Sequence, residues 1–172
     1  LTAAAAALDV TDVAADHALR PHLRSSIIQL DMTNPLSLTQ AVAPVENTTG
    51  VTNYVIDIMG PDGKDVAAHI FFFDSMDTCL GVPGWGCVYP DTVAWYSRTV
   101  DALAEKHGRK LPSIGFYHIP LDEMMGLLDG YSISGNRTED ICCGSVNTGL
   151  YAAMVAAGNM KFISAGHDHN ND

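Results

Sequence analysis

The sequence predicts an α/β fold, and three observations carry that expectation. Short apolar, strand-like runs alternate with helix-period segments in the order β-β-α-β-α-α-β. The long helical segment is bracketed by Pro90 and Gly108. Histidines follow two of the apolar runs at their C-terminal ends. Strands separated by helices imply a layered core, with reactive groups gathered where strands end. At 172 residues and 47% hydrophobic content, the chain reads as one domain over 1–172 with enough apolar surface to bury a core.

Each element follows from its residues. Positions 1–25 are Ala-rich and then polar, and suggest a short helix. Positions 26–30 are a brief apolar strand candidate. Positions 34–50 carry Pro35, Pro44 and Asn47-Thr48-Thr49-Gly50, and read as loop. Over 53–59 the chain alternates, with Tyr54, Ile56 and Ile58 on one face. Over 66–73 it ends in Ile70-Phe71-Phe72-Phe73, the run expected of a strand covered on both sides. Pro61-Asp62-Gly63-Lys64 between them is a turn, so the two strands form a hairpin.

Positions 74–89 are rich in Gly, Pro and Cys and predict an ordered surface loop. Pro90 then opens a helix, where its missing N–H costs nothing. Val93, Tyr96, Val100, Leu103 and Ala104 recur at helical spacing, and Gly108 closes it. A strand over 113–117 delivers His118. One or two helical turns follow over 121–128, closed by Gly130. A small helix over 149–157 stops at Gly158-Asn159. A last strand over 161–165 delivers His167 and His169.

Composition narrows the function. Nine basic against 20 acidic residues give a net charge of −11. That argues against a protein tracking a nucleic-acid backbone, which needs clustered Lys and Arg. A phosphate-ester ligand stays possible, because bound cations would dominate the local field. No apolar stretch is long enough to span a bilayer. Leu1 reads as a processed end or as the first residue of a stretch within a longer chain.

Cys79, Cys87, Cys142 and Cys143 allow three pairings, and spacing does not choose among them. Without a repeated C-x-x-C, a structural zinc site is not expected. Sequons at Asn47 and Asn136 sit in polar, loop-like stretches. An even cysteine count with two sequons predicts a secreted or secretory-pathway glycoprotein.

His118, His167 and His169 are the metal-ligand candidates. Each follows an apolar strand at the end where ligand sites collect in open α/β sheets. Neutral imidazole suits zinc, iron or manganese. His17, His22, His69 and His107 read as structural, and Asp168 is expected to point outward.

Phe116-Tyr117-His118-Ile119-Pro120 and Gly166-His167-Asp168-His169 resemble the last two metal motifs of the calcineurin-like metallophosphoesterases, in the small purple-acid-phosphatase-like branch. Asn34-Pro35-Leu36-Ser37-Leu38, Asn53-Tyr54-Val55, Phe72-Phe73-Asp74-Ser75 and Cys142-Cys143-Gly144-Ser145-Val146-Asn147 follow in the order of that branch. The resemblance implies a layered β-sandwich flanked by helices, of which 1–172 is the C-terminal part and therefore incomplete. It implies two divalent or trivalent metal ions (Fe, Zn or Mn), with His118 and His167 on the second and His169 on the first. These ions would activate a hydroxide for attack on a phosphomonoester. By the same resemblance, Ser145 and Asn147 are substrate-side groups.

The family's Asp-x-His, Gly-Asp and Gly-Asn-His motifs do not occur in this stretch. Two functions are therefore expected. One is a segment of a dinuclear phosphoesterase. The other is an inactive secreted glycoprotein that keeps the fold as a structural or interaction module. An incomplete sandwich also implies that the missing part of the domain, or a partner chain, covers the sheet near 66–73.

Overall fold

The computed structural model describes residues 26–39, 48–126 and 134–171. The elements that build its layers are β1 (Tyr54–Met59), β2 (Val66–Phe72), α1 (Pro90–His107), β3 (Ser113–Phe116), α2 (Glu123–Gly126), α3 (Leu150–Ala157) and β4 (Met160–Ser164). They form one four-stranded mixed sheet in the order β1-β2-β3-β4. The β1–β2 pair is antiparallel, and β2–β3 and β3–β4 are parallel. Parallel neighbours need long crossovers. Helix α1 supplies the first, and α2 with α3 the second. This is the α/β arrangement expected. A second sheet is not found among the described residues, so the sandwich rests on the resemblance alone.

The 26–30 strand expectation fails, because 26–32 is helical. An apolar run this short fits either state, and periodicity alone cannot decide between them. Thr33 and Asn34 turn the chain out of that helix through bonds to the Leu30 and Asp31 carbonyls, at 3.1 and 2.9 Å. The expected helix within 1–25 and the sequon at Asn47 lie outside the described residues.

The hairpin forms where the turn residues place it. Asp62 Oδ1 accepts the Lys64 N–H at 3.0 Å, and Gly60 N–H closes on the Asp65 carbonyl at 2.7 Å. Helix α1 starts at Pro90 and ends at Gly108, whose φ of 68° suits a residue without Cβ.

One face of the sheet is packed. Phe71, Phe73 and Tyr117 meet Trp95, Tyr96 and Val100 of α1 and Leu150 and Met154 of α3 in one buried cluster. Phe71 and Tyr96 meet edge to face at 5.1 Å, a favoured geometry for rings of opposite edge and face charge. A buried polar bridge crosses the layers. Tyr96 donates to Asn159 Oδ1 at 2.9 Å, and Asn159 Nδ2 donates to Ser113 Oγ at 2.9 Å. Burial pushes the Tyr96 phenol up to about 12, so it stays a donor.

Among the described residues the other face is only partly covered. Tyr54 stacks on Phe72 at 4.5 Å, and Phe72 on Phe116 at 5.6 Å. Phe116 and Phe162 are exposed there. The loop expected over 74–89 is less superficial than composition suggests. Asp74, Ser75, Cys79, Cys87 and Val88 are buried, and Ser75 Oγ accepts the Ile119 N–H at 3.0 Å, which ties the β2 and β3 ends together.

His69 lies level with the start of β3, paired with Ser113, at the end of the sheet away from His118. It is buried and its Nδ1 lies 2.9 Å from Asp57 Oδ1. Its Nε2, and that of neighbouring His107, are buried without a hydrogen-bond partner. Burial pushes the His69 pKa below the usual imidazole range; Asp57 opposes the shift, and His107 and Lys106 add to it. A base with a depressed folded pKa takes its proton more readily in the unfolded chain. Its stabilising contribution is present above the ordinary value of about 6.5 and is lost as pH falls through the lower folded value. Unfolding free energy measured by urea titration should therefore fall from pH 7 to pH 5, with a shallower slope in His69→Gln. An unchanged slope in that variant would clear His69 of the effect.

Candidate metal centre

The centre is assembled by backbone pairing that continues beyond the named strands. Phe73 N–H donates to the Phe116 carbonyl at 2.9 Å, Tyr117 N–H to Ser164 at 3.2 Å, and Gly166 N–H to His118 at 3.0 Å. The last of these sets Gly166 beside His118. A Cβ on Gly166 would stand 3.1 Å from His118 Nδ1, closer than side chains pack at ease. A side chain here would make the His118 ring give way by a few tenths of an ångström, so glycine suits the position.

His167 follows in a backbone conformation that L-residues rarely adopt, with φ 74°. Asp168 N–H donates back to the Gly166 carbonyl at 2.9 Å. That i to i+2 bond around a positive φ is the rarer, strained form of γ-turn. The turn swings the His167 ring onto His118. Their planes cross at 85°, and His167 Nδ1 lies 3.3 Å from His118 Nε2. The Trp85 indole meets the His167 ring edge to face at 4.4 Å.

The pair has the spacing of two ligands on one ion. Zinc–nitrogen bonds of about 2.0–2.1 Å at a tetrahedral angle put the two nitrogens about 3.3 Å apart. Partial burial lowers the His118 pKa, and the charges of His167 and His169 lower it further. Both effects favour the neutral ring that a metal needs.

The set stops short of a dinuclear site. His169 is exposed and acts on His118 as a neighbouring charge. Among the described residues, no three His, Cys, Asp or Glu side chains converge so as to hold a metal ion. Asp168 does not point outward as expected. Its carboxylate Oδ1 turns back to accept the Cys142 N–H at 3.2 Å. After His169 the chain is zipped to 138–139. Asn170 N–H and Nδ2 donate to Glu139 at 2.6 and 3.3 Å, and Asn171 Oδ1 accepts the Thr138 N–H at 3.1 Å. These donors hold the Glu139 carboxyl below its ordinary pKa, the Asn170 N–H most of all.

The other sequence candidates hold structural contacts here. Ser145 spends both its N–H and its hydroxyl on the Trp85 carbonyl, at 3.1 and 2.9 Å. Asn147 donates to Glu123 at 2.9 Å and accepts the Gly149 N–H at 2.9 Å. Asn136 is exposed. His17 and His22 lie outside the described residues. Of the cysteines, Cys79 and Cys87 form a disulfide, and Cys142 and Cys143 are free thiols. Burial, then nearby carboxylates, push Cys143 up to about 11, which suits neither nucleophile nor ligand.

Sequence reasoning missed Trp85 as a neighbour of His167. Its signal was a tryptophan amid glycines between two cysteines eight residues apart.

A mixed sheet flanked by helices, with two imidazoles meeting at neighbouring parallel strand ends, defines an α/β protein. Its sequence relatives are purple-acid-phosphatase-like. The chain is 26% identical over 167 residues to "Probable inactive purple acid phosphatase 29" of Arabidopsis thaliana, covering 89% of this chain and 42% of that protein. It is 27% identical over 168 residues to "Probable inactive purple acid phosphatase 14" of the same plant, covering 87% and 41%. It is 30% identical over 133 residues to "Probable inactive purple acid phosphatase 28", also from that plant, covering 72% and 32%. The chain thus spans less than half the length of these relatives. No family model and no solved structure matches it.

Position 167 permits a test of the strained turn. Glycine accepts φ near 74° freely and alanine does not, so His167→Gly should be about 1 kcal/mol more stable than His167→Ala in urea unfolding. Equal stabilities would mean that the turn relaxes once the imidazole is gone.

Proposed function

We propose that this chain is a purple-acid-phosphatase-like module that keeps the family's imidazole corner and serves as a catalytically silent structural or interaction unit. The observation that carries this reading is the donor set. His118 and His167 offer two corners of a coordination shell, and no bridging carboxylate accompanies them among the described residues. A two-metal centre needs such a bridge to balance charge and hold the ions a few ångströms apart. Asp168 is committed to the Cys142 amide instead. The names of the relatives, each "probable inactive", support the same reading.

The Cys79–Cys87 disulfide and the exposed sequon at Asn136 support a secretory setting. The open aromatic face of Tyr54, Phe72 and Phe116 is consistent with cover by further polypeptide.

A second reading has one observation of its own. His167 holds a strained turn whose effect is to aim its ring at His118, and such strain persists where function maintains it. If polypeptide outside these residues adds carboxylates, His118, His167 and His169 become ligands of two Fe, Zn or Mn ions. Those ions would supply a hydroxide for phosphomonoester hydrolysis.

Metal content and p-nitrophenyl phosphate hydrolysis separate the two readings. The purified chain incubated with zinc, manganese or iron should retain at most one weakly held ion at His118 and His167. That ion should be lost in His118→Ala/His167→Ala, and no hydrolysis above buffer is expected. Two tightly held ions with turnover would establish the enzyme instead. Equal metal content in wild type and the double variant would remove both imidazoles from the ligand set.

A further inference from the structure

We infer that His69 and His107 form a separate metal site, which takes a zinc-class divalent cation on their two Nε2 atoms at the end of the sheet away from His118. Asp57 and His69 stand directly opposite each other in the antiparallel β1–β2 pair, so their side chains share a face. His107 is the last residue of α1, the helix that packs on that face. The two imidazole rings meet with centroids 5.5 Å apart and planes tilted by 42°.

Packing alone leaves these rings unfinished. His69 is 2% exposed. Its Nε2 and the Nε2 of His107 are both shut off from solvent, and neither has a hydrogen-bond partner among the described residues. Folded chains rarely leave a buried nitrogen unpaired, because the lost bond to water is not replaced. Here two such nitrogens belong to neighbouring rings. A single ligand shared between them answers both.

The surroundings identify that ligand as a cation. The distance from His69 Nδ1 to Asp57 Oδ1 is 2.9 Å. An ionised carboxylate only accepts, so Nδ1 carries the ring proton and Nε2 keeps its lone pair. A carboxylate behind an imidazole in this way is the arrangement that orients a metal-bound histidine and raises its basicity. The spacing fits as well. Two imidazoles that share a zinc through bonds of about 2.0–2.1 Å have ring centroids roughly 5–5.5 Å apart. His107 closes an 18-residue helix, whose C-terminal end carries partial negative charge and favours a cation. Lys106 lies 3.8 Å from Asp57 Oδ2, but its side chain is exposed and its charge is screened by solvent. Asp57 is exposed too, which leaves a way in from the surface. No third His, Cys, Asp or Glu joins the pair among the described residues, so water would complete the shell. Two nitrogen donors suit zinc and its neighbours, whereas calcium and magnesium seek oxygen. The site shares no residue with the His118–His167 corner and goes beyond the function proposed above.

Calorimetric zinc titration of the untagged full chain tests the site. The parent for this experiment is His118→Ala/His167→Ala, so that the other pair of imidazoles cannot contribute and a failure here leaves the proposed function untouched. The parent should bind one zinc per chain, and calcium should give no binding heat. Adding His107→Ala, at a half-buried helix end, should abolish zinc binding while the circular dichroism stays that of the parent. Adding Asp57→Ala instead should weaken binding about tenfold, the loss expected when a ligand's orienting carboxylate is removed. Zinc should also raise the thermal unfolding midpoint of the parent and leave the His107→Ala variant unmoved. Absence of zinc binding by the parent would leave the two nitrogens to an ordered water and overturn the proposal. Equal zinc binding after His107→Ala, which would place the ion elsewhere, or an equal response to calcium would overturn it as well. Unchanged affinity in Asp57→Ala would overturn the role given to that carboxylate.

Discussion

The approach of Gly166 to His118 is the constraint on which the centre depends. The Gly166 amide bonds the His118 carbonyl, and its missing side chain leaves room for the imidazole. The contact continues the β3–β4 pairing beyond Tyr117 and Ser164, and the next residue, His167, turns at positive φ with its ring on His118. Strand pairing, glycine and strained turn form one causal sequence. Two histidines 49 positions apart meet because their backbones are paired, and their ring nitrogens come within 3.3 Å of each other.

That pairing is anchored from below by the packed face. Phe71, Phe73 and Tyr117 pack the ends of β2 and β3 against α1 and α3. Close-packed aromatic rings tolerate little displacement. The Tyr96–Asn159–Ser113 bridge sets the start of β4 against β3, where a register irregularity falls between Ser113 and Ile114. A slip there by one residue would reverse every side chain on β4. Buried polar bonds of this kind act on register more than on net stability, because each replaces a bond to water.

Much of this was legible in the sequence. Alternation at Tyr54, Ile56 and Ile58, the Asp62-Gly63 turn, and the Pro90 and Gly108 brackets specify their elements through local chemistry that burial does not override. The positions of His118 and His167 follow from strand ends. What was hidden depends on contacts distant in sequence. The inward turn of Asp168 is decided by an amide 26 residues away. The choice of Cys79–Cys87 over other pairings is decided by a loop closing on itself. Trp85 reaches His167 across 82 positions, with its carbonyl held by Ser145. The helix at 26–32 was misjudged because its apolar run is too short for periodicity to discriminate.

Charge gives the last step. The centre lies in an acidic protein, and two carboxylates beside it in the fold are engaged: Asp168 by the Cys142 amide and Glu139 by Asn170. A carboxylate held by N–H donors is stabilised as an anion and fixed in orientation. The fold thus pairs two imidazoles with each other while Asp168 and Glu139 accept from N–H groups of the chain. An arrangement that ties up its carboxylates preserves the shape of a metal corner more faithfully than its chemistry.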